Sequence, residues 1–360
     1  MSTVRLFIQV GLFFITKRAE IRLKERAMNN NNVEAYQHML EKAAQFIKDN
    51  DDFLVLAHLN PDGDAIGSSL ATMHLLRSLG KKVHVVNEGE CPKRFSFLPG
   101  FEEIIDLSKI SLNRSFSAVI SVDVADEKRF GKIGSVIADD AQILNIDHHP
   151  TNTNFGVLNV IQPTAASTTE ILFDLITAHF SPQLDSPTAN ALYTGLLTDT
   201  GGFRYANTKQ SVLDMAAKLL GYGVQPDQIA DYALETVTAS HIELLKYALQ
   251  SLSFHYEGQV AIILVSQEDM KAAGASKDDV DGISSYPRKI EGVEVGALFK
   301  EWSEGEVKVS LRSNKYVDVA LLAQRNGGGG HAKASGYTFN GNLQAAKEDL
   351  LNQLKDIIQK

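Results

Sequence analysis

The run Phe53-Leu-Val-Leu-Ala57, followed at once by His58-Leu-Asn-Pro-Asp62-Gly-Asp64-Ala-Ile-Gly67-Ser68, decides the architecture. Five unbroken apolar residues suit a strand covered on both faces, as in a parallel sheet. The polar loop His58–Gly63 then leads into a helix expected from about Asp64 to Leu79. Upstream, Val33, Tyr36, Met39, Leu40, Ala43, Ala44, Phe46 and Ile47 recur at helical spacing, which predicts a helix over 33–49. Downstream, Lys82–Asn87, Ala118–Asp123 and Ala141–Ile146 read as further strands, each ending in polar residues. Helices are expected over 167–180, 188–198, 209–221 and 226–252. Strands alternating with helices imply an α/β sheet with its site outside the carboxyl ends of the strands.

From Phe254 the pattern changes. Val260–Val265, Val293–Phe299 and Val307–Arg312 read as strands, Val317–Arg325 as a short helix, and 342–359 as a closing helix. A chain of 360 residues accommodates two domains. The boundary is expected near 250, with 33–225 as the first domain, 226–253 as a linking helix and 254–360 as the second domain. Residues 1–32 are expected to stand outside the fold. Within 1–27 there are six basic and two acidic residues, leaving the rest of the chain at −13. Its apolar stretch Leu6–Ile15 is half what a spanning helix needs, and no cleavage site follows it. Met28 is read as the natural start, with a basic membrane-surface helix as the alternative. The net charge of −9 argues against coating long nucleic acid, though not against a small anionic substrate. A single cysteine, Cys91, excludes an internal disulfide framework and a Cys-rich zinc site, and suits a cytoplasmic protein.

Four acidic or histidine clusters fall at the expected strand ends. They are His58 with Asp62 and Asp64; Asp123; Asp147-His148-His149; and Asp199 in Thr-Asp-Thr-Gly-Gly-Phe-Arg-Tyr205. Singly, each has an ordinary use as a helix cap, a turn residue or a solvated side chain. Together they place several negative charges at one sheet edge, an arrangement that repels itself without a cation. Oxygen and imidazole donors without thiolate suit Mn²⁺ or Mg²⁺, with the histidines favouring Mn²⁺. There are enough ligands for two ions about 3.5–4 Å apart. Gly67-Ser68 is read as a further source of backbone donors for an anion. In the C-terminal part, Asn326-Gly327-Gly328-Gly329-Gly330-His331 precedes Lys333 and Ser335. Backbone N–H groups of such a run can approach a phosphate closely, with Arg312 as a planar partner, although a flexible glycine turn is the plain alternative. Between Val307 and Lys333 there are five basic residues and one acidic. Phe203, Arg204 and Tyr205 suit either base stacking or packing.

These motifs, in this order, resemble the DHH phosphoesterase family, and within it the cytoplasmic nanoRNase and pAp phosphatase subgroup. The resemblance covers roughly 35–345. It implies a Rossmann-like parallel-sheet DHH domain, a connecting helix and a smaller α/β DHH-associated domain across a cleft. It also implies that His58, Asp62 and Asp123 hold one metal, and that Asp64, Asp123, His148 and Asp199 hold the other, with Asp123 bridging. His149 would face the scissile phosphate as donor or leaving-group acid, and Asp147 would orient the imidazole. Arg312, Gly328, Gly329, Gly330, His331 and Ser335 would anchor a terminal phosphate.

The implied substrates are short single-stranded RNA and 3′-phosphoadenosine 5′-phosphate (pAp), split between phosphorus and the sugar 3′-oxygen. Long duplex nucleic acid and membranes are not expected as partners, and family members are often homodimers. A cyclic or linear dinucleotide phosphodiesterase would use the same metal chemistry, and a pAp-binding sensor without turnover is the non-enzyme alternative.

Overall fold

The structure, a computed structural model, describes residues 33–280 and 282–358. The N-terminal segment and the proposed start at Met28 lie outside the described residues. The chain divides into two compact units, with the boundary between Thr236 and Val237.

In the first unit six parallel strands form one sheet in the order β3-β2-β1-β4-β5-β6. They are β1 (Phe53–Leu56), β2 (Val83–Asn87), β3 (Ile105–Asp106), β4 (Phe116–Val122), β5 (Ile137–Asp147) and β6 (Leu158–Ile161). All four β1 residues are buried, because β2 and β4 flank the strand and both faces are covered. Alternate side chains go to opposite faces. Phe53 and Val55 join the larger core, while Leu54 and Leu56 join Phe130, Ile133 and Val136 beneath the sheet. The larger core is closed by α1 (33–49), α2 (Gly63–Ser78), α3 (Thr168–His179), α4 (Ser186–Asp199), α5 (Gln210–Leu220) and α6 (Pro226–Ala230). Strand order reverses between β1 and β4, and ligands bind outside the carboxyl ends of such a switch point.

The second unit has a mixed six-stranded sheet in the order β11-β12-β10-β9-β8-β7. Its strands are β7 (Ser253–His255), β8 (Val260–Val265), β9 (Val295–Ser303), β10 (Glu306–Ser313), β11 (Gly329–His331) and β12 (Ala334–Asn340). Helices α7 (Ala239–Gln250), α8 (Gln267–Ala272), α9 (Val319–Arg325) and α10 (Leu343–Ile358) complete it. One face packs Val307, Val309 and Leu311 against α9 and α10. The other packs Ile263, Val265 and Leu298 against Leu244 and Ala248 of α7.

Four readings are corrected. The helix expected over 226–252 is broken: Thr236 is extended, and Thr238 starts a new helix by accepting from the His241 N–H. Two β-branched threonines around Val237 favour extended backbone, and a threonine cap defines a fresh start. The boundary accordingly falls at 236/237 and not near 250, since α7 belongs to the second core. The glycine run is not simply a loop, because Gly329–His331 pairs with β12 as an edge strand. Gly67 and Ser68 lie in the second turn of α2, buried, where helical bonding occupies their N–H groups, so their backbone is not available to an anion. Edge strands β3, β6 and β7, and the paired strands β11 and β12, carried no clear period and are additions. Among the described residues, no helix is long and apolar enough to cross a membrane.

Candidate active site

Every acidic and histidine candidate of the first unit lies at the sheet's carboxyl edge or on the helices beside it. His58 follows β1, Asp123 follows β4, and Asp147 ends β5 with His148 and His149 after it. Asp62 caps α2, its Oδ1 accepting from the N–H groups of Asp64 and Ala65 at 3.1 Å each. Asp199 is the last residue of α4. Three overlapping groups have ligand atoms within 4.8 Å of one another: His58, Asp62 and Asp123; Asp64, His148 and Asp199; and Asp123, His148 and His149. Asp123 is buried and takes a left-handed backbone, φ 60°, a conformation Asp adopts at a cost that the surrounding fold must hold.

Close helix packing sets the second group. A Cβ on Gly67 would lie 2.5 Å from the Ala191 carbonyl oxygen, so α2 and α4 approach backbone to backbone. A Cβ on Gly195 would lie 2.7 Å from Asp64 Oδ1 and 2.5 Å from Thr169 Cγ2. This approach leaves Asp64 fully buried at the start of α3, where it accepts from the Thr168 N–H at 2.6 Å and the Thr169 N–H at 3.1 Å. A carboxylate at a helix N-terminus is favourably placed.

The imidazoles are oriented for ligation. His58 Nδ1 donates to the Leu59 carbonyl at 2.8 Å, which turns Nε2 toward Asp123 Oδ2 at 3.5 Å. His148 Nε2 lies 3.7 Å from Asp123 Oδ1 and 3.4 Å from Asp199 Oδ2. These separations exceed good hydrogen bonds, so nitrogen and oxygen donors surround common points without satisfying one another. That donor set and spacing could hold a divalent cation. His149 differs: its Nδ1 donates to Asp147 Oδ1 at 2.7 Å, and Asp147 Oδ2 accepts from Asn152 Nδ2 at 2.6 Å.

Electrostatics agree. Burial, then Asp123, pushes the Asp64 carboxyl up to about 7. Burial, then Asp64 and Asp62, raises Asp199 well above the usual carboxylate range. Asp123 is lowered, because His58, His148 and His149 outweigh the opposing effect of its burial. Burial disfavours charge on His149, yet the Asp147 hydrogen bond and the Asp123 charge raise it to about 9. His58 is raised too, Asp123 overcoming burial. Two buried carboxylates, each raised by burial and by its acidic neighbours, are what a site looks like where proton and cation compete.

Three residues of this site escaped the sequence reading. Thr168 Oγ1 donates to Asp123 Oδ1 at 3.0 Å, Thr169 presents its N–H to Asp64, and Asn152 holds Asp147. Ser167-Thr168-Thr169 opening a helix was the available signal, since such residues gather at N-termini. Phe203 packs edge-on against Tyr193 with centroids 6.1 Å apart, and Arg204 Nε donates to the Gly201 carbonyl at 2.6 Å. Tyr205 is exposed.

In the second unit, strand pairing sets Arg312 opposite Ala334 and Ala334 opposite His331, so Arg312 and His331 flank one position on one face. Gly328 and Gly330 adjoin β12 so closely that a Cβ on either would meet its backbone, 2.2 Å from the Gly336 oxygen and 2.6 Å from the Ala334 oxygen respectively. Gly329 lies open. Ser335 does not join them. It is buried with the alternate parity, and its hydroxyl donates to the Val319 carbonyl at 2.6 Å, tying β12 to α9.

Comparison with known proteins matches residues 52–196 to the DHH family, N-terminal domain, and residues 257–360 to the DHHA1 domain. A bifunctional oligoribonuclease and PAP phosphatase NrnA from Thermus thermophilus is 36% identical, over 84% of this chain and 89% of its own length. A probable bifunctional oligoribonuclease and PAP phosphatase NrnA from Streptococcus mutans is 30% identical, over 87% of this chain and 97% of its own. The crystal structure of an exopolyphosphatase-related protein from Bacteroides fragilis superposes with TM-score 0.83 at 27% identity, covering 90% of this chain and 98% of that one. With its acidic edge built by β1, β4, β5 and the start of α2, and with a DHHA1 domain following, the chain belongs to the DHH family.

Proposed function

We propose that the protein is a two-metal phosphoesterase that hydrolyses the bond between phosphorus and the 3′-oxygen of very short oligoribonucleotides and of pAp, the latter to AMP and phosphate. One observation carries the reading: His58, Asp62 and Asp123 on one side, and Asp64, His148 and Asp199 on the other, converge within 4.8 Å in each group. The 36% identity to a relative named for these two activities supports the choice of substrates. His58, Asp62 and Asp123 would hold one Mn²⁺, and Asp64, Asp123, His148 and Asp199 the other, Mg²⁺ being the alternative. Bound divalent ions supply Lewis acidity, neutralising phosphoryl charge and acidifying water at neutral pH.

The chain's own residues do the rest. Asp123, held low by three imidazoles against its burial, lies with His58 and Asp62 and also with His148 and His149, and would be the ligand the two ions share. His149, its Nδ1 held by Asp147, would be the acid that gives a proton to the departing 3′-oxygen as the bond to phosphorus breaks. Asn152 and Asp147 keep the ring in one orientation. Arg312, His331 and the glycine run would bind the substrate's other phosphate. A cytoplasmic setting suits a single, buried cysteine.

The test is a side-by-side assay with Mn²⁺ on pAp, a labelled RNA trimer, a cyclic dinucleotide and pyrophosphate. Turnover of pAp and trimer is expected, and Asp123→Ala should abolish both. Preference for the cyclic dinucleotide or pyrophosphate would overturn the substrate assignment. Binding of pAp without turnover would make the protein a sensor. Near-normal activity of Asp123→Ala would remove the shared-ligand mechanism.

A further inference from the structure

The loop that opens with Asp123 runs on along the acidic edge of the first unit. After β4 the sequence is Asp123-Val-Ala-Asp-Glu-Lys-Arg129-Phe-Gly131. Asp126 caps a 3₁₀ segment (Glu127–Val136) by accepting from the Lys128 N–H at 3.0 Å, and Arg129 lies in its first turn. Two sets of bonds fasten this stretch. On one side the Leu59 N–H donates to the Arg129 carbonyl at 3.1 Å, one residue from His58. On the other, the Thr153 N–H donates to the Ala125 carbonyl at 2.9 Å and Asn152 Nδ2 donates to the Val124 carbonyl at 3.0 Å, in the loop that follows His149. Gly131, φ 58°, kinks the segment, and a Cβ on it would lie 3.0 Å from Leu59 Cδ2. Arg129 is thereby pinned between the loops of two histidines of the site.

Its side chain is half-buried and, among the described residues, makes no hydrogen bond and no ion pair. Of the nearby acids, Asp126 is the cap, Glu127 is exposed, and Glu88 accepts from the Lys132 N–H. The guanidinium acts on both histidines. Burial comes first and the aspartates next, and the Arg129 charge opposes protonation of His58 and of His149 alike. Those rings approach different oxygens of Asp123, His58 reaching Oδ2 at 3.5 Å and His149 Oδ1 at 3.6 Å. A cation that both feel is beside the cluster as a whole, not at one end of it.

Four aspartates around two divalent ions would leave no net charge at the edge. Attraction for phosphoryl oxygens then needs a cation outside the ligand set, most of all in the transition state, where charge spreads over those oxygens. A guanidinium suits this role: it is planar, matches two phosphate oxygens at once, and is more weakly hydrated than an ammonium. We propose that Arg129 is a catalytic residue whose guanidinium binds the non-bridging oxygens of the phosphoryl group under attack. This rests on the reading of the acidic edge as a phosphoesterase site. Arg129 forms no covalent bond and moves no proton. Because the reacting phosphoryl group is common to pAp and RNA, it serves both substrates equally, unlike a group that grips the substrate's other phosphate.

The test uses Arg129→Gln with Mn²⁺ on pAp, on an RNA trimer and on an aryl phosphodiester that has a single phosphate. Inorganic phosphate is also titrated into the Mn²⁺-loaded protein by calorimetry. Turnover should fall by about 10²- to 10³-fold on all three substrates. Phosphate should bind about 10- to 100-fold more weakly, with Mn²⁺ affinity and melting temperature as in the parent. Arg129→Lys keeps a charge and loses the fork, so its losses should be intermediate. It carries the test alone if the glutamine variant does not fold, and parental turnover and phosphate binding in it then refute the proposal. Loss confined to pAp and the trimer would place Arg129 on the other phosphate and overturn the assignment. Weaker Mn²⁺ binding would make Arg129 a support of the metal ligands, which overturns it too, as does unchanged turnover of all three. Failure of the substrate reading looks different: the parent would turn over the aryl diester but neither pAp nor RNA, and the loss in Arg129→Gln would still be read on the aryl diester.

Discussion

Thr168 shows how much of the site depends on groups that are not themselves ligands. Its hydroxyl donates to Asp123 Oδ1 at 3.0 Å, and its backbone N–H donates to Asp64 Oδ2 at 2.6 Å. One residue thus orients two carboxylates of the acidic cluster, the first through its side chain and the second through its backbone. Thr168→Val keeps the backbone bond and the shape but loses the hydroxyl. The buried Asp123 oxygen then has one donor fewer and can swing away from the shared position. The expected result is Mn²⁺ affinity weaker by about 10- to 100-fold, read by metal titration, with the folded state retained. A Thr168→Val protein that binds Mn²⁺ as tightly as the parent would show that the histidines alone fix Asp123. Thr168→Ser should restore most of the affinity.

At the scale of elements, the tight α2–α4 contact makes opposite demands on Gly67. Alanine is the better helix former by about 1 kcal/mol. Against that, its Cβ would meet the Ala191 carbonyl oxygen at 2.5 Å and the Gly195 nitrogen at 3.0 Å, both backbone atoms that cannot rotate aside. Overpacking of this kind costs about 1–3 kcal/mol, so the clash outweighs the propensity. Gly67→Ala should lower the melting temperature by several degrees and weaken metal binding, because α2 carries Asp62 and Asp64 while α4 carries Asp199. An unchanged melting temperature would mean the helices separate easily. The acidic positions are legible in the sequence because each lies just past an apolar run or on a helix with a clear start, where period alone fixes the edge. Thr168 and Thr169 are not, because they act through N–H groups that every residue carries. The break at Thr236–Thr238 is likewise hidden: apolar spacing runs on through 226–252, and only the Thr238 cap contact reveals the restart. Short edge strands such as β11, three residues of which two are glycine, have no period to read. Ser335 shares a strand with its expected partners, and a parity of one residue turns it to the other face.

For the molecule as a whole, the two units keep separate cores, and the ligands of the acidic site belong to the first alone. Its stability without metal should therefore depend on pH in a definite direction. Asp64 is raised to about 7 and Asp199 is raised well above its usual range, so the folded form holds protons that the unfolded chain releases at about pH 4. Stability then falls as pH rises through the folded values. His149, raised to about 9, contributes fully below its unfolded value near 6.5, and that contribution is lost as pH climbs through 9. The raised His58 acts in the same direction. Asp123, lowered, has the opposite sign, but its contribution is lost only in acid and is complete well below neutrality. Between pH 5.5 and 8.5 the slopes of Asp64, Asp199, His58 and His149 run downward and that of Asp123 is already flat, while His74, lowered by its burial, opposes them alone. The metal-free melting temperature of the first unit, followed by calorimetry, should fall across that range. Divalent metal replaces the protons as the source of positive charge, so saturating Mn²⁺ should raise the melting temperature more at pH 8.5 than at pH 5.5. Trp302, the only tryptophan in the chain, lies in the second unit, so its fluorescence reports that unit in the same sample, and its transition should move less with metal. A metal-induced shift that is equal at both pH values would mean that the carboxylates are already ionised without metal, and that the crowding of charge at the sheet edge is relieved by some other group.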